Sequence, residues 1–327
     1  MREDFFPPFQ WQEVFLQPWG ESFLMNFQVV SMGFLVCLGC GLIGNFVVAR
    51  RLALVGDAVS HSILPGIALA FLVSKSLAVP AMFVGAVVAG VATTVLIEFI
   101  HRKSRVRPDA AIGIVFTTFF AIGVVIISRW VTDVHLDAEC VLYGEIGLLP
   151  FQESIVLGGV DLGPRSLVVM LAVTLLDFAL VLVFYRFLLV TSFDSGLARS
   201  LGMPVKMVHY GLMVALALNI VAAFEAVGVV LVVAMLIFPA ATAGFFVERL
   251  PHLLVLAVPL SFFYSLGGFH LAVWLDCSIA GAMVVFAGIL FILSWIFAPK
   301  GLLMQSLQRR GMLFERTDSA PKVGKPA

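Results

Sequence analysis

The chain has 327 residues and no net formal charge at pH 7; 61% of the residues are hydrophobic and 12% are charged. The mean hydropathy is +1.08, and soluble domains carry about twice this share of charge. The composition therefore excludes a soluble globular protein, offers no basic surface for nucleic acid, and predicts repeated crossing of a membrane. The four cysteines form no disulfide framework, and Cys37-x-x-Cys40 lies in an apolar stretch where packing is favoured over a redox or metal role.

Nine apolar segments are long enough to cross a bilayer, because a helical span needs about 20 apolar residues. They lie near 26–48, 53–74, 77–99, 109–128, 166–187, 206–223, 226–247, 252–270 and 278–298. The sequence thus predicts an all-α, polytopic bundle of transmembrane helices with about nine spans. The segments near 206–223 and 226–247 are joined so tightly that the pattern leaves the count open there.

The basic residues between these segments predict the orientation of the bundle. Most of the Lys and Arg residues, including Arg50, Arg51 and the cluster at 102–107, fall on one side of the predicted membrane. The other side has Arg2, Lys75, Arg129 and Arg165. Because cytoplasmic loops carry an excess of Lys and Arg, we expect the N-terminus outside the cell and the C-terminus in the cytoplasm.

The two ends of the chain differ from the spans between them. Residues 1–25 are rich in aromatic side chains and lack the basic-then-apolar layout of a signal peptide, which favours an external segment at the membrane interface. Residues 300–327 mix Arg and Lys with Pro, Gly and Ser, which is typical of a disordered tail, here on the cytoplasmic side. Residues 26–299 are the predicted transmembrane domain between them.

A group of polar side chains interrupts the second predicted span. Asp57 and His61 are four residues apart, which places them on one face of a helix. Pro65 and Gly66 predict a helix break near this pair, because Pro65 removes a helical hydrogen bond and leaves the carbonyl of residue 61 free as an acceptor. A charge inside a membrane is costly unless it is paired or binds a ligand. The segment therefore predicts a cation site, although Asp57 and His61 could instead hydrogen-bond each other or a neighbouring helix.

The predicted external segment 129–165 is acidic, with few basic residues beside its carboxylates. Its acids are Asp133, Asp137, Glu139, Glu145, Glu153 and Asp161. An acidic entrance would concentrate cations. The same charges are ordinary in a solvated loop, and that interpretation is favoured.

Residues 191–204, between the fifth and sixth spans, predict a short amphipathic helix on the cytoplasmic side. Ser192 or Asp194 can cap its start. Gly202 followed by Pro204 ends it. Its apolar face carries Leu197, Ala198 and Leu201. A helix this short is marginal alone and has to dock on something, although a plain surface turn would fit the same residues.

Two further acids lie in apolar segments. Glu225 begins the seventh segment near its outer end, and could be a gate carboxylate, a third metal ligand or an interfacial acid in contact with water. Asp177 lies inside the fifth span, and Asn219 and Asn45 are its candidate partners.

The chain carries no Gly-x-x-x-x-Gly-Lys-Ser/Thr phosphate loop. It cannot bind and hydrolyse ATP by that route, so we expect a transport subunit without ATPase activity of its own. Energy for uphill transport has to come from a partner or an ion gradient, and the helix within 191–204 favours a partner.

Three stretches of the chain resemble the metal-type (ABC-3) permeases, the membrane subunits of bacterial manganese, zinc and iron ATP-binding-cassette (ABC) importers. They are Gly56-Asp57-Ala58-Val59-Ser60-His61 with Pro65-Gly66, the Phe193–Gly202 stretch, and Ala234–Ala243 with Pro239. The resemblance runs over nearly all of residues 26–300.

The resemblance implies a multi-pass protein of the bacterial inner membrane that moves Mn, Zn or Fe and holds no permanent cofactor. It also implies a homodimer or paired permease, ATP-binding-cassette ATPase subunits and an external metal-binding protein. Asp57 and His61 would be transient metal ligands, with Glu225 as a weaker third. Oxygen and nitrogen ligands suit these metals better than Cu(I). The contact with the ATPase would involve Asp194, Leu197, Ala198, Leu201 and Gly202.

Two alternatives stay open. A gradient-driven secondary carrier would use Asp57 and Asp177 as proton-binding groups, but it gives residues 191–204 no role. A siderophore, haem or cobalamin permease has a similar architecture, but it passes a bulky ligand and has little need for an Asp/His pair inside the membrane.

Overall fold

The computed structural model describes residues 7–75, 79–130, 146–157, 160–299 and 301–304, and these form a bundle of helices joined by short turns. The helices are α1 (Gln17–Glu21), α2 (Phe23–Ala49), α3 (Ala53–Ser74), α4 (Val79–Lys103), α5 (Pro108–Trp130), α6 (Arg165–Phe193), α7 (Ser195–Ser200), α8 (Val205–Gly244), α9 (Leu250–Leu275) and α10 (Ile279–Phe297). A π-helical turn at Gln12–Leu16 precedes α1, and a 3-10 turn at Ile146–Phe151 follows α5.

Eight helical segments in the described part of the chain are long and apolar enough to cross a membrane. Seven are α2 to α6, α9 and α10, and the eighth is the first part of α8, Val205–Phe224. A shorter apolar helix, Val230–Gly244, completes α8. The predicted all-α polytopic bundle is confirmed.

The long helix α8 consists of two helices joined by a kink at Gly228, where φ is 73° and ψ is 172°. On α2, a Cβ atom built at Gly39 would lie 3.0 Å from Nδ2 of Asn219. One built at Gly44 would meet the carbonyl of Leu236. In a straight helix Asn219 and Leu236 would be about 25 Å apart, yet the two glycines are about 8 Å apart along α2. Both halves can contact the same part of α2 only because the helix axis changes direction at Gly228, whose positive φ favours glycine.

The central helix of the bundle is α2, which packs against α6, α8 and α9. Its fully buried side chains include Met32, Val36, Cys37, Cys40, Ile43 and Phe46. Glycine allows close approach elsewhere: Gly66 of α3 and Gly85 of α4 each face the other's carbonyl, so a side chain at either would clash. Small residues at helix contacts are the usual solution in a membrane, where lipid is as apolar as the side chains.

A two-stranded antiparallel hairpin lies between α5 and α6, with β1 at Ser154–Leu157 and β2 at Val160–Pro164. It occupies the end of the predicted acidic segment. Asp161 accepts a hydrogen bond from the backbone N–H of Gly163 at 2.8 Å, which stabilises the local turn. Asp133, Asp137, Glu139 and Glu145 lie outside the described residues.

Residues 7–22 cap the end of the bundle where α2 begins and α9 ends. The indole N–H of Trp19 donates to Nε2 of His270 over 3.4 Å. The His270 ring proton is therefore on Nδ1, from which it donates to the carbonyl of Val14 over 2.9 Å. At the end of α9, the Trp274 indole donates to the carbonyl of Pro7 over 3.2 Å. The aromatic segment predicted at the N-terminus is thus held on the bundle by specific hydrogen bonds.

Candidate functional site

Asp57 and His61 lie together on the outer surface of α3. Nε2 of His61 is 3.6 Å from Oδ1 of Asp57, and 47% of the Asp57 side chain and 25% of the His61 side chain are exposed. The same-face arrangement predicted from the spacing is confirmed. Neither side chain is buried in the bundle, so the carboxylate is open to whatever lies beside α3.

The other polar side chains of this segment point inward. Ser60 donates to the carbonyl of Gly56 over 3.0 Å, and Ser62 donates to the carbonyl of Ala58 over 2.6 Å. Both serines are buried and satisfied within their own helix. Asp57 and His61 are therefore the polar groups that this run presents at its surface.

Two phenylalanines of α5 flank the imidazole. The ring centroid of Phe116 is 5.2 Å from that of His61, and that of Phe120 is 6.1 Å away at an interplanar angle of 88°. They pack against the imidazole. Neither phenylalanine could be predicted as part of the site, because i, i+4 spacing of aromatic residues in an apolar span is too common to be a signal.

Pro65 and Gly66 lie inside a continuous helix. The break expected at these residues is absent, because α3 runs without interruption from Ala53 to Ser74. A Cβ atom at Gly123 of α5 would lie only 2.9 Å from the backbone nitrogen of Pro65. Since that nitrogen has no hydrogen, a neighbouring helix can pack closely there at no cost in hydrogen bonding. The two residues thus act as packing surfaces for α4 and α5.

The position of the pair along α3 follows from the helical rise. Asp57 and His61 are about 6 Å and 12 Å along the helix axis from Ala53. They lie in the half of α3 nearer the turn that joins it to α2. Within the residues that the structure describes, no group of three or more His, Cys, Asp or Glu side chains is arranged to hold a metal. Glu225 belongs to α8, and its side chain lies outside the described part.

The short helix predicted within 191–204 is present as α7. Oδ1 of Asp194 accepts hydrogen bonds from the backbone N–H groups of Gly196 and Leu197, both at 2.9 Å, which is the expected N-cap. Gly202 follows the helix with φ of 71°. The predicted cap and the predicted stop are both confirmed.

The apolar face predicted for this helix is divided by the fold. Leu197 and Leu201 are 50% and 59% exposed, and Phe193, just before the helix, is 63% exposed. Ala198 is fully buried, so it packs inside this chain and is not available to a partner. We call the exposed Leu197, Leu201 and Phe193 the docking face, because the sequence predicts that a partner docks on this helix.

Asp177 is the opposite of Asp57, with only 1% of its surface exposed. Nδ2 of Asn219 donates to its Oδ2, and the thiol of Cys40 donates to Oδ1 of Asn219 over 3.5 Å. The other candidate partner, Asn45, donates instead to the carbonyl of Gly41 over 2.7 Å. Asp177 therefore braces α6 against α8 and α2.

The chain is a bundle of membrane-spanning helices. It carries a polar pair on the outside of one span and a capped helix with exposed leucines. This is the architecture of a membrane transport subunit. The family model described as the ABC 3 transport family matches residues 22–298. The chain belongs to this family, and it is a multi-pass protein of the inner membrane.

Characterised relatives and a solved structure agree with this assignment. The manganese transport system membrane protein MntD of Bacillus subtilis (strain 168) is 41% identical over 295 residues, which cover 89% of this chain and 99% of MntD. The zinc transport system membrane protein TroD of Treponema pallidum (strain Nichols) is 41% identical over 289 residues, covering 88% and 78% of the two chains. The structure of PsaBC from Streptococcus pneumoniae in complex with Fab is similar with a TM-score of 0.73 at 31% identity, covering 88% of this chain and 97% of that chain.

Proposed function

We propose that this chain is the permease subunit of an ABC importer that moves a divalent transition metal, manganese or zinc, into the cytoplasm. The relatives support the metals, since MntD is named for manganese transport and TroD for zinc transport. Iron, the third metal expected from the sequence, has no support from these names. The observation that carries the proposal is the Asp57–His61 pair, exposed on the side of a membrane span.

An exposed carboxylate on a membrane helix needs a polar neighbour, because lipid cannot satisfy it. A second permease copy beside α3 would supply that neighbour. Two-fold pairing places the same surface of both copies together, so it would bring two Asp57–His61 pairs to one path. Two carboxylates and two imidazoles are suitable ligands for Mn²⁺ or Zn²⁺. Because each copy provides only a pair, the ion would be held by the assembly and released when the copies move apart.

The docking face is the surface through which ATP hydrolysis in the partner subunit would drive transport. In this proposal the ATPase subunit binds Phe193, Leu197 and Leu201, while Asp194 and Gly202 fix the ends of the helix that presents them. An external metal-binding protein delivers the ion at the opposite end of the bundle. ATP binding and hydrolysis in the partner then move α7 and open the path inward.

The two alternatives receive less support. A gradient-driven carrier gives the capped and exposed helix α7 no role, and it would use Asp177 as a proton site although Asn219 already occupies that carboxylate. A permease for bulky chelates has little use for paired carboxylate and imidazole ligands at its path.

The direct test is metal uptake by proteoliposomes that contain this chain, its ATPase subunit and its binding protein, with Mn²⁺, Zn²⁺ and Fe²⁺ compared side by side. We expect ATP-dependent uptake of manganese or zinc that stops when the ATPase is left out. Uptake driven by a proton gradient without the ATPase would overturn the proposal in favour of a carrier. Uptake of a chelate but of no free ion would favour the bulky-ligand permease.

A further inference from the structure

A cluster of polar side chains joins four helices at the end of the bundle where α2 meets α3. We name it the Arg50 cluster, and its members are Arg50, Glu98, Arg102, Thr191, Ser192 and His209. The guanidinium of Arg50 donates from Nη2 to Oγ1 of Thr191 over 2.9 Å and from Nε to Oγ of Ser192 over 3.0 Å. One planar group thus holds two successive hydroxyls at the end of α6. Burial lowers the pKa of Arg50 to about 10, so the group remains charged at neutral pH.

The remaining guanidinium nitrogen of Arg50, Nη1, reaches the start of α8. Nη1 lies 3.4 Å from Nδ1 of His209. Because a guanidinium can only donate, Nδ1 has to accept, which places the ring proton on Nε2. Nε2 is 3.5 Å from Oε2 of Glu98, whose other oxygen pairs with Nε of Arg102. The cluster therefore continues from α2 through α8 to α4.

The cluster lies on both flanks of α7. Thr191 and Ser192 immediately precede the Asp194 cap, and the backbone N–H of Asp194 still bonds to Val190 of α6 over 2.9 Å. His209 is the fifth residue of α8, which begins soon after α7 ends. The chain entering the docking helix and the chain leaving it are therefore both held by the same guanidinium.

Arg50 is also tied closely to the helix that carries Asp57. Only Arg50, Arg51 and Leu52 connect α2 to α3. The backbone N–H of Arg51 bonds to Val48 at 2.9 Å, that of Leu52 bonds to Val47 at 3.0 Å, and Arg51 has φ of 60°. Because this connection is short and its backbone groups are hydrogen-bonded, α2 and α3 have little freedom to move independently of each other. Asp57 is seven residues beyond Arg50, and the part of this distance within α3, from Ala53 to Asp57, is about 6 Å along the helix axis.

We propose that Arg50 is a positioning residue that transmits movement of α7 to the Asp57–His61 segment of α3. The inference rests on the proposed function, because it assumes that α7 docks on an ATPase subunit and that Asp57 and His61 hold the ion. A guanidinium suits the task, since its planar fork fixes the direction of two hydrogen bonds at once. Lysine would keep the charge and lose the fork.

A static brace is the competing explanation, and it predicts a different result. If Arg50 only stabilises the fold, its loss lowers the amount of assembled transporter, but each assembled transporter keeps its ratio of ions moved to ATP hydrolysed. If Arg50 transmits movement, the assembled transporter hydrolyses ATP with fewer ions moved. The ratio therefore separates the two explanations.

The experiment measures manganese and zinc uptake and ATP hydrolysis together in proteoliposomes of the whole transporter, normalised to assembled complex. For Arg50→Gln we expect the ions moved per ATP to fall by about tenfold or more, the factor that matches loss of one charge-assisted hydrogen bond. Arg50→Lys should give an intermediate ratio. Arg51→Gln is the matched control, because it removes the same charge from the neighbouring exposed residue and should leave the ratio unchanged.

A second set of variants tests whether the movement is transmitted through the hydrogen bonds from Arg50 to Thr191 and Ser192. Thr191→Val with Ser192→Ala removes both hydroxyls, and adding Arg50→Gln to this pair should lower the ratio no further. An unchanged ratio in Arg50→Gln, or equal losses in Arg50→Gln and Arg51→Gln, would overturn the inference. If the unaltered chain moves neither manganese nor zinc with ATP, the proposed function fails instead, so the two failures are distinguishable.

Discussion

Two aspartates lie in the apolar part of this protein, and their surroundings are opposite. Asp57 of α3 has about half of its side chain exposed, beside an imidazole of its own helix. Asp177 of α6 is 1% exposed and takes a hydrogen bond from Asn219 of α8. Asp177 is satisfied within one chain. Asp57 is not enclosed by its own chain, so it is suited to a partner copy or a passing ion.

This difference explains why one acid is assigned to the transport path and the other to the fold. Both acids have the cost of a carboxylate in an apolar environment. At Asp177 that cost is offset by the amide donor of Asn219, whose own oxygen accepts a hydrogen bond from the Cys40 thiol. The contrast can be tested by changing each acid, then the docking face, and then the kink in α8, the helix that carries Asn219.

The largest effect is expected at the exposed pair. Asp57→Ala or His61→Ala should reduce ATP-dependent metal uptake by about 100-fold or more, because a ligand of a shared ion is removed. Co-purification of the ATPase subunit should stay unchanged, because the proposed contact with that subunit is made by α7 and not by α3.

The matched control for this test is Asp109→Ala, which removes an acid at the start of α5 that is 4.0 Å from Arg107. We expect normal uptake in that variant. Normal uptake in the Asp57 and His61 variants as well would remove the basis for the site.

The next effect concerns the docking face. Leu197→Asp or Leu201→Asp should weaken binding of the ATPase subunit by about tenfold or more, because an unpaired carboxylate in an apolar contact costs at least about 1–3 kcal/mol. The affinity is measured by titrating purified ATPase subunit onto the permease in detergent.

Met207→Asp serves as the control for the docking test, since Met207 is 76% exposed in the first turn of α8 and outside α7. Its affinity for the ATPase subunit should match that of the unaltered chain. Equal losses in all three variants would show that charge alone, and no particular surface, weakens the contact.

A smaller effect, on stability only, is expected at Asp177. Asp177→Leu leaves the buried amide of Asn219 without its acceptor and should destabilise the bundle by about 1–3 kcal/mol. Asp177→Asn keeps an acceptor and should cost less. Uptake per assembled transporter should be unchanged in both variants, with unfolding followed by thermal melting in detergent.

The Asp177 variants also separate the two acids by function. A gradient-driven carrier that protonates Asp177 would lose uptake in Asp177→Asn, although this variant keeps its shape. That outcome would place both acids on the transport path.

The last and most local effect, again on stability, is expected at the kink in α8. Gly228→Ala places a side chain at φ of 73°, which costs about 1–3 kcal/mol. Gly211→Ala in the same long helix is the control, since nothing lies within 4 Å of a Cβ atom there and alanine favours the helix. A lower melting temperature is expected for Gly228→Ala alone, and equal melting of the two variants would contradict it.

Much of the fold was predictable because a membrane imposes strong local rules. Each of the nine apolar segments corresponds to a helix or a helix half, and even the tight junction near residue 225 matches the kink at Gly228. The α7 cap could be predicted because Asp194 bonds to backbone groups only two and three residues away. The break expected at Pro65 was wrong, since α3 continues through it.

The candidate site was predicted only in part. The spacing of Asp57 and His61 places them on one face, but the sequence does not say whether that face is covered. Ala198 shows the same limit, because its neighbours Leu197 and Leu201 are exposed while it is buried. Burial depends on which other helix lies alongside, and that information is not local.

The sequence by itself determined the membrane class, the helical segments, the capped helix before residue 202 and the polar pair on α3, because each depends on residues within one or two turns of one another. Only the tertiary structure decided that Asp57 is open and Asp177 enclosed, that both halves of α8 contact α2, and that Arg50 holds both flanks of α7. These features join residues far apart in the chain, such as Arg50 and His209, which are 159 residues apart. Contacts at that separation arise from helix packing, which no short pattern in the chain encodes.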